Sequence, residues 1–502
     1  MSLEQHAGLL IIAPLMGALL ISLLGGLHRR VAYLLLVTSL ASSFYSAMAT
    51  LRQVALHAAD GPLRYRLGDW APPYGIELVI DPLNGLVLAM VSGVALLVAI
   101  FSKNTVRQEV AEYIHHYYTL FALLVAGLLG ITATGDAFNL YVLMEISALA
   151  SYALLARGRG FAYYATFKYV IMGTIGACLY LLGVGYLYIK TGTLNMAELV
   201  SFLTRTELIN SESIRVAFIL IMVGLWIKMA FFPLHGWLPN AYTRTTTTTS
   251  CLVAPLMTKV SVYVMIRVMF GVFSVAFVHT TLGWSKGVVW LASVAILAGS
   301  IGALAQTSMK RMLTYIIVAE VGYMVGGAWL GNAAGLTGAT YHIVSDGLMT
   351  ACLFMVVGAI SYKTGSDDFE SMRGIFRRMP ITAVVFLVGA FAMIGIPPTC
   401  GFFSKWYLIK GGVIASQYPF VAALLISSLV NAVLFFRLIE IGYYDTFDSE
   451  GKPEGHGKIK VQEAPLSMLV PMVVMAAMLL VVGLYTGKIV TSLIQYTIPA
   501  GL

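Results

Sequence analysis

The chain has 502 residues, 59% hydrophobic and only 11% charged, with a mean hydropathy of +0.85. Soluble domains carry about 25% charged residues, so this composition excludes a water-soluble fold and indicates an all-α integral membrane protein. The formal charge of +8 reads as basic loops on the cytoplasmic side rather than as a nucleic-acid surface.

At roughly 35 residues per spanning helix with its loop, the length accommodates about 14 crossings and leaves no room for a large soluble domain. Apolar runs of spanning length fall at 8–27, 31–51, 79–101, 117–134, 137–156, 162–189, 214–232, 246–270, 284–305, 311–330, 336–362, 380–409, 416–439 and 464–487. The first has no basic segment ahead of it and no small-residue cleavage pattern after it, so it reads as a retained helix. Three connections are more than turns. Residues 52–78 suit an irregular or hairpin loop with interfacial Trp70 and Tyr74. Residues 364–379 place Phe369, Met372 and Phe376 on one face, as a surface helix would. Residues 445–462 are polar and Gly-rich. With the N-terminus outside, seventeen loop lysines and arginines fall inside against ten outside, so both termini are expected outside a bacterial or archaeal plasma membrane.

Cys178, Cys251, Cys352 and Cys400 sit inside apolar segments without paired-ligand spacing, so neither disulfides nor a metal site is expected. The Thr243–Ser250 stretch, TRTTTTTS, reads as a cap for the helix that follows. No phosphate loop, haem pair or nucleophile constellation is present, so no cofactor and no catalytic chemistry are expected in this chain.

A charge at mid-bilayer costs about 2.5–3.5 kcal/mol on insertion scales, so each one inside a spanning run needs a reason. Glu145, Lys168, Lys228, Lys259, Glu320, Asp346 and Lys405 lie in such runs, with His342 beside them. A structural pair or a snorkelling lysine explains one of these; eight groups on seven helices indicate a buried polar axis for protons or cations. Two runs also carry prolines beside a lysine: Pro233 and Pro239 follow Lys228, and Pro397 and Pro398 precede Lys405. Proline removes a backbone donor, and broken helices in a membrane point to a transport site. Runs 4–8 and 9–13 then read as two five-helix repeats, each with a glutamate on its second member and a broken, lysine-bearing fourth. An odd number of crossings makes the second repeat inverted. The expected organisation is N-terminal helices in 1–110, a first repeat in 111–272, a second in 273–440, and a polar loop with a last helix in 441–502.

The stretches TGDAFNLYVLMEISALASYALLA, IKMAFFPLHGWLPNAY, APLMTKVSVYVMIR, KRMLTYIIVAEVGYM and GIPPTCGFFSKW resemble the antiporter-like subunits of Mrp-type cation/proton antiporters, respiratory complex I and membrane-bound hydrogenases. Length and the FNLYVLMEI wording are most similar to the D-type Mrp subunit. The resemblance implies a Glu145–Lys228 pair in the first half-channel, a central lysine at Lys259 and an exit-side lysine at Lys405. A lysine at this last place suits a D-like or N-like subunit, since M-like ones usually carry glutamate. The eleventh run departs from the family pattern: Thr350 stands where a lysine is common, Asp346 is additional, and Glu320 replaces a commonly uncharged residue. The link from Lys259 to the exit is therefore left open among Glu320, His342 and Asp346.

The resemblance implies a subunit of a Na+/H+ antiporter, partnered by other antiporter-like and small membrane subunits, with H+ and Na+ as candidate ions. A redox-driven pump subunit and a scaffold with vestigial charges are the competing readings.

Overall fold

The computed structural model describes residues 3–26, 28–158, 160–205, 207–444, 461–499 and 501–502. Most of the polar stretch at 445–462 lies outside them. The chain starts with α1 (Leu3–Leu24) and α2 (Arg29–Leu56), followed by a hairpin of β1 (Leu63–Arg66) and β2 (Glu77–Ile80) with Leu63 opposite Ile80. Trp70 and Tyr74 at its tip are exposed. Asp81 then caps α3 (Pro82–Glu109), accepting from the amides of Leu83 and Asn84 while Asn84 returns a bond to the Asp81 amide.

The first five-helix unit comprises α4 (Ile114–Ala133), α5 (Ala137–Leu155), α6 (Ala162–Thr191), the short α7 (Met196–Arg205), α8 (Glu212–Lys228), α9 (Leu238–Arg244) and α10 (Thr247–Gly271). The second comprises α11 (Ser285–Leu304), α12 (Met309–Trp329), α13 (Ala333–Thr364), α14 (Ile375–Arg378), α15 (Pro380–Ile394), α16 (Cys400–Ile414) and α17 (Tyr418–Tyr444); α18 (Leu466–Leu484) and α19 (Thr486–Ser492) follow. Among the described residues, 12 helices are long and apolar enough to cross a membrane. The other two apolar runs are the interrupted ones, α8 with α9 and α15 with α16, which brings the crossings to the expected fourteen.

Both interruptions fall where the prolines foretold. Residues 229–237 separate α8 from α9, with Pro233 inside the gap, whereas Pro239 stands in the first turn of α9, where its missing amide costs nothing. Pro397 and Pro398 lie between α15 and α16. Ala230, at the first gap, has φ of 58°, a left-handed conformation that costs a residue with a Cβ about 1–2 kcal/mol.

The two units repeat each other's packing. In each, the first member lies along the second (α4 on α5, α11 on α12) and the third along the broken fourth (α6 on α8, α13 on α16). Each unit also closes the same backbone clasp. Asp136 before α5 forms a bridge with Asn195 after α6, and Ser308 before α12 forms one with Asp368 after α13. Counting crossings puts these clasps on opposite membrane faces, as inversion requires.

Small residues bring the third and fourth members together. A Cβ on Gly224 would meet the Gly176 carbonyl oxygen at 2.5 Å, and one on Gly411 would meet Gly335 Cα at 2.5 Å. Only glycine permits such a close approach of helix backbones.

One expectation needs correction. Residues 364–379 do not form a continuous surface helix: a single 3₁₀ turn (Phe369–Met372) and the four-residue α14 are separated by Gly374 at φ 69°. The left-handed glycine stops the helix, and Phe369, Met372 and Ile375 are buried in the protein.

Candidate functional site

α13 is buried along its whole most apolar stretch and runs through the middle of the protein, between α10, α12 and α16. Any polar side chain it carries must therefore find partners inside. The ionisable groups singled out in the sequence, Lys168 apart, form three clusters, two of which include side chains of α13.

The first cluster lies within the first unit. Lys228 ends α8 at the helix break, and its Nζ donates to Glu145 Oε1 on α5 at 3.1 Å. The Lys228 side chain is 8% exposed and that of Glu145 25%. Trp237 Nε1 donates to the Ile227 carbonyl at 3.1 Å while its ring stacks on Tyr169 of α6, which ties the broken end of α8 to its neighbour. Beside Lys228 lies a cavity of about 20 Å³, bordered by Ser147 of α5 and by Met257 and Ser261 of α10. That is room for roughly one water, between the first cluster and the turn of α10 that carries Lys259.

The second cluster is central and wholly buried. Lys259 Nζ on α10 is 2.9 Å from Asp346 Oδ2 on α13, with both side chains fully inaccessible. Thr350 Oγ1, one turn further along α13, donates to Asp346 Oδ1 at 2.7 Å and accepts from Lys259 Nζ at 3.5 Å. The threonine in the family's lysine position thus completes the pair instead of leaving a gap.

The third cluster joins α12, α13 and α16. His342 Nε2 contacts Glu320 Oε2, and its Nδ1 is 2.8 Å from Ser404 Oγ. Ser404 Oγ itself donates to the Gly401 carbonyl, so it accepts from His342 Nδ1–H. Glu320 Oε1 lies 3.9 Å from Lys405 Nζ, and Lys405 donates to the Met393 carbonyl at 2.7 Å. That carbonyl belongs to the last turn of α15, left without its helical partner by the break at Pro397 and Pro398. The Lys405 ammonium also stands 5.3 Å from the centre of the Tyr323 ring, whose hydroxyl donates to Ser427.

Ligand atoms of Glu320, His342 and Asp346 all lie within 4.8 Å of one another, a spacing that could hold a metal ion. Both carboxylates, however, already face a lysine, Lys405 or Lys259, and an ammonium beside each repels a second cation. Of the three residues among which the sequence left the link open, Asp346 pairs with the central lysine, while Glu320 and His342 contact one another and Glu320 lies beside Lys405. Lys168 joins none of these clusters. It is exposed on α6, 4.7 Å from the centre of the Tyr164 ring. Ser404 and Tyr323 were not foreseen, since a serine beside a lysine and a tyrosine in an apolar run carry no distinguishing pattern.

Fourteen crossings, two inverted units and a row of buried acids and bases through both define a polytopic membrane protein of the antiporter-like class. The family described as NADH:quinone oxidoreductase/Mrp antiporter, TM, matches residues 134–431, and the chain belongs to it. It is 41% identical over 466 residues to the N-type subunit of the NADH-quinone oxidoreductase of Desulforudis audaxviator, covering 90% of this chain and 92% of that one. It is 31% identical over 424 residues to the D-type subunit of the Na(+)/H(+) antiporter of Alkalihalophilus pseudofirmus, covering 83% and 82%. Among solved structures it is similar to a chain of the archaeal membrane-bound sulfane sulfur reductase, a respiratory membrane complex, with a TM-score of 0.87 and 28% identity over 98% of this chain and 97% of that one.

Proposed function

We propose that this subunit moves protons across the membrane along the row Glu145, Lys228, Lys259, Asp346, Glu320, His342 and Lys405. The observation that supports the reading is the alternation itself. Three acids, three lysines and a histidine, all but the half-buried Glu145 shut away from the surface, stand where apolar residues would fill the space at lower cost. In this reading the Glu145–Lys228 pair is the switch. When the pair is closed, the carboxylate holds the ammonium. When it opens, a buried ammonium without a counter-charge sheds its proton toward Lys259. The difference between paired and unpaired states is several kcal/mol, on the scale of the roughly 2.3 kcal/mol per 100 mV needed to move one charge. We assign both termini to the outer face, following the lysine and arginine distribution.

The parent complex has two readings. An Mrp-type Na+/H+ antiporter is supported by the 31% identity to a D-type antiporter chain. A redox-driven complex is favoured by the greater identity, 41%, to an N-type oxidoreductase chain. Identifying the proteins that co-purify decides between them: hydrophilic redox subunits mean the second, further small Mrp-type membrane subunits the first.

The relay is tested by Glu145→Ala and Lys228→Ala, with Lys190→Ala at the exposed end of α6 as control. Proton movement in everted vesicles should be abolished by the first two and little changed by the third, with assembled complex unchanged on an immunoblot. Near wild-type transport by both relay variants in assembled complex would demote these charges to structural pairs.

A further inference from the structure

On the membrane face where α10 and α12 begin, far along α10 from Lys259, a polar cavity of about 280 Å³ is lined by Arg157, Arg244, Lys310, Glu109, Asp367 and the first residues of α10. Its two acids are already engaged. Glu109 accepts from the Thr247 amide at 2.9 Å and the Thr247 hydroxyl at 2.7 Å, which caps α10, and Asp367 accepts from Ser308 Oγ, the cap of α12, at 2.9 Å. The three cations have no such partners. Arg157 lies over the Tyr113 ring at 4.3 Å, and neither Arg244 nor Lys310 has a hydrogen bond or ion pair among the described residues.

Lys310 is the telling one. It is only 7% exposed, it borders the cavity, and it sits in the first turn of the 21-residue α12, where the helix dipole disfavours a cation. Of the four buried lysines among the described residues, Lys228, Lys259 and Lys405 each lie within 4 Å of a carboxylate oxygen, whereas Lys310 makes no ion pair among those residues.

Three cations against two carboxylates leave this cavity, which is larger than a phosphate, with a net positive charge beside the first turns of α10 and α12, and an anion would balance it. We infer that this cavity binds a phosphate-type oxyanion, with Lys310 and Arg244 as its direct ligands and Arg157 at its rim. The site is separate from the proton row and goes beyond the transport reading. The oxyanion comes either from solution or from the headgroup of an anionic phospholipid, and the chemistry of recognition is the same.

The test uses the complex as purified from membranes and reconstituted into phosphatidylcholine nanodiscs, with labelled inorganic phosphate as probe in equilibrium dialysis. One saturable site per copy of this chain is expected, weakened at least tenfold by Lys310→Met and by Arg244→Gln and unchanged by Lys228→Ala. If Lys310→Met fails to fold, Arg157→Gln, at an exposed residue, replaces it with a smaller expected loss. A second arm measures phosphatidylglycerol retained through purification. Retention by the wild type and loss in the variants, without phosphate binding, supports the site and identifies its source as a lipid. Binding of neither probe, or equal binding by wild type and variants, overturns the inference whether or not the proton row is active.

Discussion

Asp346→Ala is the perturbation whose consequence the structure defines most sharply. At 2.9 Å from Lys259, and with an effective dielectric of about 20, the attraction removed is about 6 kcal/mol before desolvation is counted. Breaking one side of a buried pair costs about 3–5 kcal/mol in practice, because the remaining charge stays buried without a partner. Thr350 would also lose the acceptor of its 2.7 Å bond, a further cost of about 1 kcal/mol. The variant should therefore assemble with a markedly lower Tm and transport nothing. The double variant Lys259→Met, Asp346→Leu removes both charges and refills the space, so its thermal stability should return to or exceed that of the wild type while transport stays absent. Thermal unfolding of the detergent-solubilised protein, read alongside proton movement in vesicles, measures both. If Asp346→Ala keeps the wild-type Tm and rate, the central pair carries neither the stability nor the transport assigned to it.

Thr350→Val keeps the side-chain shape but removes the donor to Asp346, so about 1–3 kcal/mol of stability should be lost and transport slowed rather than abolished, as vesicle rates would show. Gly224→Ala places a methyl 2.5 Å from the Gly176 carbonyl oxygen; forcing α8 off α6 should cost about 1–3 kcal/mol and lower transport by disturbing Lys228, visible as a reduced Tm together with a reduced rate. Outside the spans, burial by itself would raise the Asp81 carboxyl, yet the Arg267 guanidinium at 2.6 Å and the amides of Asn84 and Leu83 hold it below its ordinary value. A folded-state value below the unfolded one stabilises the protein above the unfolded value and ceases to do so as pH falls through the folded one. Asp81→Asn should therefore lower the Tm by a constant amount between about pH 5 and pH 9, and the difference should shrink only below about pH 4.

The membrane architecture was legible in the linear chain because a bilayer imposes a local rule. Each crossing must be a helix of about 20 apolar residues, and each exception to apolarity stands out against that background. The breaks were readable from Pro233 and the Pro397–Pro398 pair standing close to a buried lysine, although Pro14, Pro255 and Pro471 stand inside continuous helices. The Glu145–Lys228 pair came from motif resemblance, since nothing in spacing alone puts residues 83 positions apart side by side.

What the sequence left open was the pairing within the second half of the row. Glu320, His342 and Asp346 lie on two helices whose relative rotation is set by interhelical packing, including the close contact of Gly335 with Gly411 that draws α13 onto α16. That packing turns Asp346 toward Lys259 and His342 toward Glu320 and Ser404. Residues one helical turn apart on α13 are thereby divided between two clusters. The fate of 364–379 was hidden for a similar reason. Its amphipathic spacing is compatible with a surface helix, and only the left-handed turn at Gly374 and the burial of Phe369 and Met372 decide that the segment packs into the protein. Sequence alone determined which groups are too costly to bury unpaired; which group each one meets depends on contacts between helices distant in the chain, and those exist only once the helices are packed.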